Sequence, residues 1–243
     1  MSRTSRATSA AFDRGAGRYD IMVGLNPGYH RHLRFAAAEL VRRLGPSGPL
    51  HTIDLACGTG ASTRALVAAA PAGSQVLGLD ASAGMLDRAR AKEWPPGVRF
   101  EQATSGRLNL GSLSPGSWDG ILSCYLFRNV AADERDRALA EAYRLLRPGG
   151  WLVAQDYSVA GDPVAARAWD AACWGIIIPL GVIVDRNSGL YRYLWRSVRA
   201  FDSTRGFADR LAAAGFVDIA TRTVPGWQRG ILHTFVARKP EER

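Results

Sequence analysis

One short run constrains this chain more than any other: Leu50-His51-Thr52-Ile53-Asp54-Leu55-Ala56, followed at once by Cys57-Gly58-Thr59-Gly60. The first seven residues read as a buried strand, and the periodic segment at about 61–70 reads as a helix. A strand that turns through glycines into a helix opens a wound α/β sheet. The pattern then repeats. Strands are predicted at 75–80 (QVLGLD), 97–103, 118–124 (WDGILSC) and 151–157 (WLVAQDY). Helices are predicted at about 83–92 and at about 133–147, the latter stopping at Pro148-Gly149-Gly150. Such alternation implies a parallel, doubly wound sheet.

A helix over about His30 to Leu44 precedes this core. After residue 157 the alternation breaks into a stretch rich in aromatics: Trp169, Trp174, Tyr191, Tyr193 and Trp195. A helix near 205–214 and strands near 216–222 and 230–237 then suit a sheet of seven strands finished by an antiparallel hairpin. The reading is one domain in four parts: an N-terminal helical segment (1–45), a core (46–157), an inserted apolar cap (158–204), and a C-terminal helix with strands (205–243).

The glycine turn carries chemistry. Gly58 and Gly60 permit a tight turn and close backbone approach to a ligand. A dinucleotide loop spreads its glycines as GxGxxG to seat a pyrophosphate. Here a carboxylate, Asp54, precedes the turn and no third glycine follows. Asp54 would repel a pyrophosphate and attract an ammonium group. Asp80 ends the second strand and points to the same crevice, where an acid can bind two ribose hydroxyls. Its competing role is to cap the next helix, which Ser82 does equally well. Together these residues predict a site for S-adenosylmethionine.

Composition narrows the surroundings. The formal charge is +9, almost all of the basic residues being arginine, with Lys92 and Lys239 the only lysines. That excess fits nucleic acid, an anionic membrane or an acidic substrate, and equally a genome-wide bias. Cys57, Cys124 and Cys173 form no CxxC and meet no histidine cluster, so neither a metal site nor a disulfide framework is expected and a cytoplasmic home is natural. The basic, Ser-rich start, MSRTSRATSAAFDR, lacks the apolar core of a secretory signal and reads as a disordered leader. Trp174 to Val184 is apolar, but too short to cross a bilayer.

DLACGTG followed by GLDASAGML resembles the first two motifs of class I methyltransferases. Three further stretches resemble the ubiquinone/menaquinone-biosynthesis C-methyltransferases: Tyr19-Asp20-Ile21-Met22 leading to Gly28-Tyr29-His30-Arg31; Leu126-Phe127-Arg128-Asn129-Val130, similar to that family's GLRNV; and the tail from Tyr193 to Pro240. The resemblance implies a Rossmann-like fold and methyl transfer from S-adenosylmethionine to a hydrophobic small molecule, with a quinol ring carbon as one acceptor. The cofactor residues it implies are Asp54, Ala56, Gly58, Thr59, Gly60, Asp80, Ala81, Met85, Thr104, Ser105 and Ser123. Thr104 and Ser105 stand where the family carries an adenine-side acid. Arg128 and Asn129 would hold substrate, His30 would act as a base and Tyr19 would bind the substrate hydroxyl. Tyr125, Phe127, Trp174 and Tyr193 would line the acceptor's place. Val23, and Leu126 or Phe127 depending on register, depart from the family pattern and bear on the acceptor more than on the chemistry.

Alternatives stay open. They are an O-, N- or C-methyltransferase of specialised metabolism, a nucleic-acid methyltransferase, and an inactive cofactor-binding protein. A dehydrogenase would need GxGxxG and a Tyr-x-x-x-Lys pair, both missing, and a nucleic-acid enzyme would carry (D/N)PPY where this chain reads Ser123-Cys124-Tyr125-Leu126. The partner expected is therefore a small hydrophobic substrate and not nucleic acid, with peripheral membrane contact and homodimer formation left open.

Overall fold

A computed structural model describes residues 28–45, 47–185 and 188–241. Its centre is a seven-stranded sheet in the order β3-β2-β1-β4-β5-β7-β6. The strands are β1 (His51–Leu55), β2 (Gln75–Asp80), β3 (Val98–Gln102), β4 (Trp118–Cys124), β5 (Leu146–Tyr157), β6 (Val217–Thr223) and β7 (Leu232–Arg238). Pairing is parallel from β3 through β5, and β7 lies antiparallel between β5 and β6. Helix α1 is Tyr29–Leu44, α2 Ala61–Ala69, α3 Ala83–Arg90, α4 Ala132–Leu145, α5 Pro163–Ala172, α6 Ile178–Asp185, α7 Ser188–Arg199 and α8 Thr204–Ala213.

Two-residue alternation divides the strands between two cores. Val76, Leu122, Val153 and Val236 face α1, α2 and the cap helices; Ile53, Leu77, Ile121 and Leu152 face α4 and α8 through Leu139, Phe207 and Leu211. The aromatic-rich insertion is helical: α5 runs through a π-turn at Cys173–Ile177 into α6, and α7 folds back against it. Asp162 caps α5, accepting from the Val164 and Ala165 N–H groups, and Pro163 takes the first turn, where its missing N–H costs nothing.

One boundary differs from expectation. Helix α4 ends at Leu145, not at the Pro-Gly-Gly turn, and Leu146 already pairs with Trp118. The Pro148-Gly149-Gly150 segment is a bulge inside β5, after which Gly120 meets Trp151. Gly149, at φ 75°, donates to the Lys239 carbonyl at 3.0 Å, so the residue just after β7 supplies the partner that a helix would have supplied.

Candidate active site

The strand order reverses between β1 and β4, and in an open α/β sheet the carboxyl ends at that point frame the ligand crevice. Two of the four non-glycine residues with left-handed backbone among the described residues lie there. Ala56, just beyond β1, has φ 66° and Tyr125, just beyond β4, has φ 63°. Left-handed backbone at non-glycine residues persists only where its surroundings enforce it. The enforcement is visible: Ala56 and Cys57 both donate N–H to the Leu79 carbonyl, at 2.7 and 3.0 Å, and Tyr125 donates to Gln155 at 2.7 Å.

A cleft opens between these bends. Ala56, Gly58, Asp80, Ala81, Met85, Thr104, Ser105, Tyr125, Arg128 and Asn129 all line it, as the motifs suggested, together with Ser82, Leu126 and Glu134. Asp80 organises one wall. Its Oδ2 accepts from the Gly58 N–H at 2.8 Å and its Oδ1 from the Ser82 N–H at 2.9 Å. Ser82 caps α3, accepting from Met85 at 3.1 Å, which releases Asp80 from capping to hold the glycine turn. At Gly58, φ 55°, a Cβ would meet open space, so backbone conformation and access to the cleft are what glycine provides.

Four predicted cofactor residues sit behind the wall instead. At Gly60, φ 89°, a Cβ would strike the Trp94 ring at 2.7 Å, so its closest neighbour is protein. The Thr59 side chain is buried, and its carbonyl accepts from Lys92 Nζ at 2.8 Å. Ser123 donates to the Leu55 carbonyl at 3.0 Å and ties β4 to β1. Asp54 is fully buried, its Oδ2 accepting from the Ser62 and Thr63 hydroxyls at 2.8 and 2.6 Å. Burial pushes its carboxyl up to about 6, against those two hydrogen bonds and with help from Asp80. Its Oδ1 is buried without a partner. That orphaned acceptor beneath the glycine turn fits an ammonium group. On the β3 side, Glu141 anchors the loop by accepting from Gly106 and Leu108 at 2.6 and 3.0 Å, leaving the Ser105 hydroxyl buried and unpartnered at the cleft.

The opposite wall is built around the Tyr125 carbonyl. Arg128 donates to it through a terminal guanidinium nitrogen at 3.0 Å and Asn129 through Nδ2 at 2.8 Å. Tyr193 of α7 donates to Asn129 Oδ1 at 3.1 Å, bringing the cap to the cleft. The Arg128 Nε lies 3.5 Å from Asp156 Oδ1, and its guanidinium carbon lies 5.7 Å above Tyr125 and 5.9 Å above Tyr157. Asp156 was not anticipated. It is buried on β5, and burial raises its carboxyl despite the Arg128 charge beside it. An acid inside the mostly apolar strand WLVAQDY was its available signal, since buried carboxylates need a partner. Asp133 and Glu134, the acids near Arg128 in sequence, are not the partner; Glu134 meets Arg107 at 3.4 Å.

Three expected substrate contacts fall elsewhere. Phe127 is buried against Phe207 at 5.1 Å, because the single 3-10 turn at Phe127–Asn129 sends it into the α4–α8 core as Arg128 turns to the cleft. Trp174 is 49% exposed on the outside of the cap and packs edge-on to Trp195. His30 is exposed on α1. Helical geometry turns its neighbour Tyr29 inward instead, where it stacks on Tyr125 at 5.6 Å, and the stack continues through Tyr157 (5.2 Å) to Trp169 (5.4 Å). Tyr19 and the leader lie outside the described residues.

A glycine turn held by an acid at the end of the second strand, an orphaned carboxylate oxygen beneath it and a seven-stranded sheet of this order have the form of the class I S-adenosylmethionine-dependent methyltransferases. The sequence model of the ubiE/COQ5 methyltransferase family matches residues 2–238, and the chain belongs to that family. It is similar to the ubiquinone/menaquinone biosynthesis C-methyltransferase UbiE of Methylobacterium nodulans, 36% identical over 218 residues that cover 87% of this chain and 83% of that protein. It is also 33% identical to the demethylmenaquinone methyltransferase of Thermus thermophilus, covering 84% of this chain and 90% of that one. Among solved structures, the didemethyltoxoflavin N1-methyltransferase of Burkholderia thailandensis shares the fold (TM-score 0.65, 18% identity, 99% of this chain and 92% of that one). So does the [4+2]-cyclase SpnF (TM-score 0.67, 16% identity, 98% and 97%), so the enzymatic assignment rests on the family and not on the fold.

Proposed function

We propose that the chain methylates a ring carbon of a hydrophobic quinol. S-adenosylmethionine, when bound, supplies an electrophilic methyl group on a sulfonium. The residues fit it: Asp80 for the ribose hydroxyls, the unpartnered Asp54 Oδ1 for the amino group, and Ser105 for the base edge.

The observation that carries the acceptor side is Arg128. Its guanidinium lies over two tyrosine rings, lines the cleft, and is held by a buried carboxylate and a strained carbonyl. A ring carbon becomes nucleophilic when its phenol loses a proton, and a fixed cation beside the developing phenolate stabilises it as an oxyanion hole would. Asn129, oriented between the Tyr125 carbonyl and the Tyr193 hydroxyl, keeps that wall in place. Tyr125 lines the cleft and is backed by the buried Tyr29 and Tyr157 rings, giving an aromatic acceptor a flank to lie against. The UbiE and demethylmenaquinone relatives support the quinol reading.

A second reading has its own observation. Leu126 lines the cleft where the family pattern has glycine, which narrows the acceptor's space and suits a different hydrophobic acceptor, methylated on oxygen, nitrogen or carbon. Incubating the enzyme with isotopically labelled S-adenosylmethionine and chemically reduced, demethylated quinols separates the two by mass spectrometry. Label on a quinol ring carbon is expected. Unlabelled quinols, with label instead on another acceptor class when a metabolite extract is added, would overturn the quinol. The Arg128→Ala enzyme is expected to bind cofactor normally and turn over about a hundredfold more slowly.

We place the enzyme in the cytoplasm, a reading supported by three cysteines that are all buried and free.

A further inference from the structure

The cap exposes what a cap should hide. From Pro163 to Ile183 the chain is one continuous helical run of 21 residues, α5 through the π-turn into α6, with a mean hydropathy of 1.3 in its most apolar stretch and only 28% of that stretch buried. Its inner side is fixed in the protein: Ala165, Ala166, Trp169, Cys173 and Ile178 belong to the core under α1. Its outer side carries Val164 (76% exposed), Trp174, Ile176 (66%), Leu180, Val182 and Ile183 (77%). Single exposed apolar residues are ordinary; six on one helical run are not.

We infer that this face lies on the surface of an anionic membrane, and that the chain docks there to meet its acceptor. Three observations commit the face to a lipid surface. The first is charge. Helix α7 runs alongside and contains three arginines, Arg192, Arg196 and Arg199, and no acid. All three are exposed and sit at spacings of four and three residues, one stripe of the helix. Arg192 lies 6.0 Å over the exposed Trp174 ring, so cation and apolar face are one surface. The only ion pair of the stripe among the described residues is a loose one, Arg199 to Asp170 at 3.8 Å. An apolar face with tryptophan, rimmed by arginines, is what an interfacial helix presents to anionic headgroups.

The second observation is that the helix is in no position to span. Trp169 is 1% exposed and stacks on Tyr157 of the sheet, and crossing the bilayer would tear it from that core. Helix α6 is also pressed against α7: a Cβ at Gly181 would fall 2.2 Å from the Tyr191 ring. The run therefore lies flat with one side committed. The third is continuity with the site. Tyr193, on the same α7, donates to Asn129 inside the cleft, so the docking helix and the acceptor wall are one element. The inference rests on the hydrophobic acceptor proposed above: an acceptor dissolved in lipid reaches Arg128 and Asn129 past α7 without crossing water.

Flotation tests this with the full-length enzyme and two vesicle preparations, phosphatidylcholine alone and phosphatidylcholine mixed with phosphatidylglycerol. The wild type is expected to float with the mixed vesicles and poorly with the neutral ones. Ile176→Ser/Ile183→Ser is expected to bind the mixed vesicles about tenfold more weakly. Arg192→Gln/Arg196→Gln is expected to bind them no better than neutral vesicles. Each variant is checked by calorimetry for unchanged S-adenosylhomocysteine affinity, which shows an intact fold and separates this inference from the methyltransferase reading. That reading fails on cofactor binding, whatever the vesicles do. Wild-type protein that stays unbound to both vesicles overturns the inference. So does an isoleucine variant that floats like wild type, or a wild-type dimer in sedimentation velocity that the same two serines dissolve, since a second copy would then cover the face.

Discussion

At the level of single residues, two acids divide the labour of the cofactor wall. Asp80 works from the cleft side, accepting from two backbone N–H groups while lining the cleft. Asp80→Ala removes the acid proposed above for the ribose and frees the glycine turn together. At about 1.5–3 kcal/mol for a hydrogen bond to a charged group, the loss in S-adenosylhomocysteine affinity should be about ten- to a hundredfold by titration calorimetry. Asp54 works from beneath. Burial holds it protonated up to about pH 6 in the unliganded protein. The folded state thus keeps a proton that the unfolded chain releases lower down, so this carboxyl's contribution to stability is full below the ordinary carboxylate range and is lost as pH rises through about 6. Ligand affinity should run the other way, because an ammonium at Oδ1 favours the ionised form. It should be full above about pH 6 and fall by up to about tenfold per unit below it. Calorimetry on either side of that point reads the slope, and Asp54→Asn should flatten it; an unchanged slope in that variant would remove Asp54 from the ammonium's contacts.

At the level of elements, the loop after β4 is a small machine for holding one arginine. Arg128 and Asp156 form a buried pair, and the Arg128 backbone N–H also donates to Asp156 at 3.1 Å. Removing either partner strands the other's charge, which costs about 3–5 kcal/mol, whereas removing both costs much less than the sum. Urea denaturation of Arg128→Ala, Asp156→Ala and the double variant should therefore show strong coupling; additive losses would mean the pair carries no stability of its own. Legibility in the sequence stopped at this scale for definite reasons. The strands and the glycine turn could be read because their signals are local: alternation, glycines, and an acid at a strand end. Phe127 could not, since whether it or Arg128 faces the cleft depends on a 3-10 turn that tertiary packing decides. Asp156 lies 28 residues from Arg128 and meets it only through sheet order. The Pro-Gly-Gly segment resembled a helix stop and proved to be a bulge, because the carbonyl that satisfies Gly149 comes from the residue just after β7, 90 residues on.

For the molecule as a whole, the strain at Ala56 and Tyr125 ties the two walls to one event. Both bends sit at the point where the sheet reverses, so a ligand that bridges Asp80 and the β4 loop rigidifies both halves of the sheet together. Ligand that binds only the native state adds about 2.7 kcal/mol at a hundred times its dissociation constant. For a chain of this length that should raise the melting temperature by about 5–10 °C. Thermal denaturation with S-adenosylhomocysteine should show this shift, and a reduced nicotinamide dinucleotide should show none, because Asp80 on the cleft wall opposes a pyrophosphate and the turn has no third glycine to seat it. Asp80→Ala should lose most of the shift and also start from a lower unliganded melting point, because the Gly58 and Ser82 N–H groups lose their acceptor. A nicotinamide shift equal to that of S-adenosylhomocysteine would mean that the cleft between β1 and β4 selects for a nucleoside in general, and the acid on its wall would need another purpose.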